Sequence, residues 1–401
     1  VRALYITYDG ALEPLGESQV LPYVRGLARR GVRYTLVSFE KPRDLADAGR
    51  IAGLRRALDA EGITWIPLRY HKRPTALATA YDILHGAFVA LRAARRSGAR
   101  VVHARSYVAG VMAWLVTRIT SAAMLFDMRG FWVDERVEGG LWRRDGWLFR
   151  LAKRWERRLL RDVDGIVVLS AAAVPHLEGL AGTPLTAPVA VVPTCVDLES
   201  FRPGDRVAER AALGIAADAF VLVYIGSFGT WYLGPETFRL AEAVAAEVPS
   251  FEFVVLTRAV DEAARLVPES LRARTRIATA THAEVPRWLV AADAGVALVR
   301  PTFSKIASCP TKLGEYLACG LPVASTSGIG DVDDILEGSG GVVLSHTGEE
   351  DLRAAARRLV ERARAAGSQE ACRRLAEEVF ALEHGVARLH ELYARLEADA
   401  C

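Results

Sequence analysis

Ser304-Lys305-Ile306-Ala307-Ser308-Cys309-Pro310-Thr311-Lys312-Leu313-Gly314-Glu315-Tyr316-Leu317-Ala318-Cys319-Gly320-Leu321-Pro322-Val323 is the stretch on which the reading of this chain turns. Pro310 can set the first turn of a helix, and Gly320-Leu321-Pro322 stops it. Short apolar runs lie on either side, Ala294–Leu298 before and Pro322–Ser325 after. A strand, a helix and a strand in close succession form one unit of a parallel sheet covered by helices. The unit repeats outward: Phe220–Tyr224, Phe251–Leu256, Arg276–Ala278 and Gly341–Leu344 are further strand candidates.

The first half follows the same pattern. Ala3–Thr7, Tyr34–Phe39, Thr64–Pro67, Val101–His103, Ala123–Asp127, Gly165–Leu169 and Val189–Val192 read as strands, and Gln19–Arg30 and Thr75–Arg96 have helical spacing. With 401 residues, the chain is expected to form two domains rather than one core. The fold class is α/β, with two doubly wound, Rossmann-like parallel sheets. Pro193 to Pro203 reads as the linker, because its prolines cannot continue a helix or a central strand. The expected domains are 1–200 and 201–383, followed by a terminal helix over 384–401 that can return to pack on the first domain.

Composition narrows the function. The chain is 51% hydrophobic and 25% charged, which excludes general disorder. Residues 1–200 carry 29 Lys and Arg against 20 Asp and Glu, and residues 201–401 carry 22 against 28. A basic half attracts anionic partners, but no basic run is interleaved with aromatic platforms, so nucleic acid is not expected. Cys195, Cys309, Cys319, Cys372 and Cys401 are odd in number, lack a CxxC pair and read as reduced thiols of a cytoplasmic protein. The first residues read as a strand rather than a signal peptide, and no apolar run reaches the roughly 20 residues that span a bilayer.

Ligands of open parallel sheets sit beyond the carboxyl ends of the strands. After the first strand, Gly10 and Gly16 can bring backbone amides to a substrate in the loop that ends at Gln19; an ordinary strand-to-helix turn is the alternative. His103-Ala104-Arg105-Ser106 follows another strand, its histidine structural or a ligand. Phe126 to Arg136 follows a third. There Arg129 offers a donor fork, Asp127, Asp134 and Glu135 can accept from sugar hydroxyls, and Phe131 and Trp132 add a stacking surface. In the second half the Gly226-Ser227 loop ends a strand and suits a diphosphate. On the quoted helix, Thr311 and Lys312 lie at an amide-rich N-terminus that suits phosphates, and Glu315 one turn later suits a ribose diol.

The quoted segment resembles the donor-site helix of retaining GT-B glycosyltransferases of family 4, with its pattern PTK-x-x-EY-x-A-x-G-x-P. Val192 to Asp197 with Phe201-Arg202-Pro203 resembles that family's interdomain segment, and Gly226-Ser227 its diphosphate loop. The resemblance implies a GT-B fold with two domains facing across a cleft, residues 1–200 binding the acceptor and 201–383 the nucleotide-sugar donor. It implies that Glu315 holds the ribose hydroxyls, that Lys312 and the Gly226 and Ser227 amides hold the diphosphate with Pro310 and Thr311 beside them, and that the His282–Pro286 stretch, with His282 and Val285, borders the base. Two departures stand out. Ala307 takes the place of the first of two glutamates, and Thr230-Trp231-Tyr232 stands where a lysine is usual, so Lys305 or Arg258 is expected to supply that charge. Arg129 takes the place of a histidine near the reacting sugar, and Arg129, Lys312 and Glu315 are the expected catalytic residues.

The implied reaction is transfer from a UDP-, GDP- or ADP-sugar with retention, without a cofactor or a metal. Asp331-Val332-Asp333 mimics a metal-binding triplet but reads as an acidic helix start. Gly10, Gly16, Gln19, Arg105, Asp127 and Trp132 are the expected acceptor residues, for a glycan, a lipid-linked glycan or a small molecule. The basic stretch Trp142 to Arg161, with Trp and Leu at intervals, can dock on anionic lipid at the inner face of the cell membrane or be a surface helix with its apolar side in the core. Two rival readings are a sugar-nucleotide epimerase of the same architecture and a catalytically silent sugar-nucleotide-binding partner.

Overall fold

Runs such as Phe220-Val221-Leu222-Val223-Tyr224 are buried along their whole length, as strands covered by helices on both faces must be. In the computed structural model, which describes residues 1–338 and 340–399, these runs build two parallel sheets. The first holds β1 (Arg2–Thr7), β2 (Arg33–Glu40), β3 (Thr64–Arg69), β4 (Val101–Arg105), β5 (Ala123–Asp127), β6 (Gly165–Val168) and β7 (Val189–Val191), in the order β3-β2-β1-β4-β5-β6-β7. The second holds β8 (Phe220–Ile225), β9 (Phe251–Leu256), β10 (Thr275–Ala278), β11 (Ala294–Ala297), β12 (Val323–Thr326) and β13 (Gly341–Leu344), in the order β10-β9-β8-β11-β12-β13. Each strand anticipated from sequence is present, with ends shifted by a residue or two.

Both sheets reverse their winding direction once, between β1 and β4 and between β8 and β11. Parallel registry brings Thr7 level with Arg105, and Arg105 level with Asp127. These reversal points, at the carboxyl ends, are where an open α/β sheet offers a crevice.

Two compact units result: Val1–Pro193 joined by the terminal stretch from Leu382 (unit 1), and Thr194–Ala381 (unit 2). The expected break at 200/201 falls inside unit 2, for a physical reason. Val196 N–H donates to the Phe380 carbonyl (2.8 Å), Thr194 Oγ1 donates to the Cys309 carbonyl (3.1 Å), and Phe201 is buried in the core of unit 2. The proline-bracketed segment is therefore already committed to the second core.

The terminal helix runs Leu382–Asp399 rather than from 384, and it belongs to unit 1. Tyr393 is fully buried and meets His103 Nδ1 through its hydroxyl at 2.7 Å. Arg388 donates to the Val191 carbonyl (2.9 Å), and Gly26 leaves room for Val386, whose Cγ2 would lie 2.6 Å from an added methyl. The expected helix over Gln19–Arg30 divides into Pro14–Gln19 and Leu21–Arg29, with Pro22 in the first turn of the second. Cys195, Cys309, Cys319 and Cys372 are thiols, not joined in disulfides; Cys401 lies outside the described residues.

Candidate functional site

In unit 2 the key helix spans Thr311–Ala318, and Pro310 is its extended N-cap residue rather than part of its first turn. The helix lies flat in the core, so Lys312 and Glu315 are each only 6% exposed. Lys312 Nζ lies 3.6 Å from the centre of the Tyr232 ring and 4.2 Å from that of Tyr224, and no hydrogen-bond acceptor reaches it. Ring faces attract a cation but do not replace water. Burial accordingly pulls the Lys312 ammonium well below its ordinary pKa and pushes the Glu315 carboxyl well above its own. An amine held dry at the reversal point between β8 and β11, with Glu315 as its charged neighbour and no hydrogen-bond acceptor, is placed to meet an anion.

Gly226 explains itself in this setting. Its φ of +119° is open to glycine, and an added methyl would stand 3.2 Å from Lys312 Nζ. One expectation needs correcting: the Gly226 amide is spent on the Leu256 carbonyl (2.9 Å), so amides for a diphosphate must come from Ser227 onward. Ser227 is exposed, with its carbonyl pinned by the Tyr224 hydroxyl at 2.7 Å.

The two candidates for the second cation separate clearly. Lys305, on the turn Phe303–Ala307, is buried with Nζ 3.9 Å above the Trp231 ring, so it lies on the segment where the usual lysine is absent. Arg258 is exposed on the turn after β9. Ala307 is fully buried and brings no carboxylate to a sugar. Val285 packs in the core of unit 2 and His282 packs on Phe201, rings 5.3 Å apart; neither side chain is presented as an open platform. Asp331 caps the helix Val332–Leu336, and Asp333 accepts from the Gly328 amide (2.8 Å), as an acidic helix start does.

Unit 1 gathers its own cluster at the ends of β1, β4 and β5. Asp127, nearly fully buried, has Arg129 Nη1 at 3.6 Å, Arg105 Nη1 at 3.7 Å and His103 Nε2 at 3.6 Å, and Arg105 also faces Asp9 at 3.5 Å. Burial alone would raise the Asp127 pKa, but the Arg129 guanidinium, His103 and Arg105 outweigh it and hold the carboxyl below the usual range. Burial lowers the His103 pKa. Four buried polar atoms here, His103 Nε2, Arg105 Nε, Asp127 Oδ1 and Arg129 Nε, have no hydrogen-bond partner, which marks a place for ligand or water. Backbone strain converges on it too. Ser106 (φ +68°) and Arg129 (φ +55°) are the non-glycine residues with positive φ among the described residues.

Other acceptor expectations are corrected by the structure. The Ala11 and Leu12 amides beside Gly10 are taken by the buried Glu40 carboxylate (2.8 and 3.2 Å), and Gly16 is needed for packing, since a methyl there would come 2.0 Å from the Gly10 carbonyl oxygen. Gln19 is buried and its Oε1 accepts from Arg129 Nη2 at 3.5 Å. Trp132 is stacked on Tyr107 and covered by Arg136, Phe131 is fully buried, and Asp134 is held by Lys153 at 2.5 Å, so none offers a free sugar surface. Sequence reasoning missed Glu40, Asp9, Tyr224 and Tyr232. The aromatic pair Trp231-Tyr232 in place of a lysine was the available signal for the last.

Comparison with known proteins agrees with this layout. Residues 16–195 match the model of a glycosyl transferase 4-like domain, and residues 219–362 that of glycosyl transferases group 1. The chain is 40% identical over 72 residues to a D-inositol 3-phosphate glycosyltransferase of Actinosynnema mirum (18% of this chain, 17% of the relative). It is 29% identical over 188 residues to that of Mycobacterium tuberculosis (43% and 38%). The chain thus covers well under two thirds of these relatives' length. Its fold matches sucrose-phosphate synthase of Thermosynechococcus elongatus (TM-score 0.76, 17% identity, 99% of each chain). It also matches HepE of Anabaena in complex with UDP and glucose (0.72, 14%, 98% of this chain and 99% of that one). A third match is WaaG, a glycosyltransferase involved in lipopolysaccharide biosynthesis (0.67, 15%, 96% and 99%). With family models matched in both units and a GT-B fold throughout, the chain belongs to the family-4 glycosyltransferases.

Proposed function

We propose that this chain transfers a sugar from a nucleotide-diphosphate sugar held by unit 2 to a hydroxyl of an acceptor held by unit 1, with retention at the anomeric carbon. The observation that carries the proposal is the buried Lys312 side chain beside Gly226, its Nζ without a hydrogen-bond partner. As the bond from the anomeric carbon to the diphosphate breaks, negative charge grows on the phosphate oxygens. Lys312, Lys305 and amides from Ser227 onward would stabilise it without a metal. Glu315 would take the ribose hydroxyls. The structure of HepE with UDP supports uridine as the first base to test.

In unit 1, two guanidiniums and two carboxylates within 3.5 to 3.7 Å balance one another. That arrangement favours a neutral, hydroxyl-bearing acceptor, whether a glycan, a lipid-linked glycan or a small molecule. The buried Ala307 keeps a silent nucleotide-binding partner as the second reading. Incubation with UDP-sugars and a panel of sugar, inositol and lipid-linked acceptors, with EDTA present, tests both. A glycosylated product whose anomeric coupling matches the donor supports the proposal. Tight donor binding without any product supports the silent partner, and conversion of the donor without acceptor supports an epimerase.

A further inference from the structure

The helix Thr75–Ser97 carries an unusual face. Leu77, Tyr81, Leu84 and Phe88 are 72%, 55%, 68% and 58% exposed. At about 100° per residue they fall within an arc of about 60°, a stripe about 17 Å long at 1.5 Å per residue. The opposite side, with Ala78, Asp82, Gly86, Ala90 and Ala93, is buried. Four large apolar groups in line, exposed to water, ask for a cover.

Charge decides what covers them. Between Gly62 and Phe126 the sequence has nine Lys and Arg and a single acidic residue, Asp82. Asp82 is buried, accepting from the Tyr8 hydroxyl (2.8 Å) and the His71 amide (3.0 Å) with the His71 ring at 2.6 Å. The exposed charges that this segment places at the two ends of the stripe are therefore positive: Lys72 and Arg73 at one end, Arg92, Arg95 and Arg96 at the other. Arg92 lies 5.6 Å over the Phe88 ring, its stem along the apolar stripe. A second copy of this chain laid on the same face would set cations against cations in either direction. No helix among the described residues is long and apolar enough to cross a membrane, but one that lies in the interface needs this pattern.

We propose that the outward face of the Thr75–Ser97 helix docks on an anionic phospholipid surface. The basic stretch marked in the sequence is the lesser contributor. Its helix, Trp147–Asp162, turns Glu156, Leu159 and Leu160 inward and packs Trp155 edge-on against Trp114, leaving Trp147 and Leu151 exposed.

Cosedimentation of the full chain with vesicles of phosphatidylcholine, with and without phosphatidylglycerol, tests the inference. The expected result is binding to the anionic vesicles, weakened by salt, and reduced at least about tenfold by Leu84→Ser with Phe88→Ser. Arg92→Glu with Arg95→Glu, a pair that leaves the apolar stripe intact, should weaken it as well. Unchanged circular dichroism and UDP binding report that each variant is folded. Absence of binding, equal binding to both vesicle types, or either variant binding like the wild type overturns the proposal. So does a dimer by light scattering that Leu84→Ser with Phe88→Ser dissolves.

Discussion

Lys312 of unit 2, buried, and Arg129 of unit 1, largely buried, both stand at the carboxyl side of a parallel sheet, but their surroundings differ. Lys312 faces two tyrosine rings and has no hydrogen-bond partner. Arg129 shares Asp127 with Arg105 and His103. An amine in a dry site, its charge offset by Glu315 alone, is costly to protonate until an anion arrives. A balanced cluster supports itself and leaves hydrogen-bond capacity for neutral hydroxyls. The contrast separates a site built for charge from one built for polar geometry.

The largest expected effect comes from removing Lys312. Lys312→Met should lower kcat by about a hundredfold to a thousandfold, as loss of one charge-stabilising group does. UDP affinity should fall with it, and Tm should not rise, because Lys312 is the charge that offsets the buried Glu315 carboxylate. A variant as active as the wild type would break the comparison.

Asp127→Asn should act on stability instead. It leaves Arg129 without its carboxylate and Arg105 with Asp9 alone, and a loss of about 3 kcal/mol is expected by denaturant titration, with UDP affinity unchanged. The pH dependence has a definite sign. The folded Asp127 pKa lies below its unfolded value, so its contribution is fully present above the ordinary carboxylate range and is lost as pH falls through the lowered value. The variant's stability should fall less steeply there than the wild type's. Smaller still is Lys305→Met, which should weaken UDP binding by about tenfold, as loss of one charge contact does, while Arg258→Met leaves it nearly unchanged. Equal losses would restore Arg258 as a donor-site cation.

What the sequence revealed and what it hid follow from range. The strands were legible because each is a short apolar run bounded by turn residues, a local signal. Lys312 and Glu315 were legible because their motif lies within one helix. Glu40 was not, since its role depends on Ala11 and Leu12 across the sheet. Trp132 looked like a sugar platform because nothing local announces that Tyr107 covers it. The choice between Lys305 and Arg258 needed the position of Trp231. Similarly, the apolar stripe of Thr75–Ser97 reads as a core face by periodicity alone, and burial shows it turned outward.

Calorimetric titration of UDP, GDP and ADP into the wild type and Glu315→Ala, each with and without EDTA, tests the donor-site assignment most directly. The account predicts selective binding of one nucleotide to the wild type, indifferent to EDTA and weakened by about 1–3 kcal/mol in the variant, the range for a buried charged hydrogen bond. Equal binding by the variant, or no nucleotide binding at all, would contradict it.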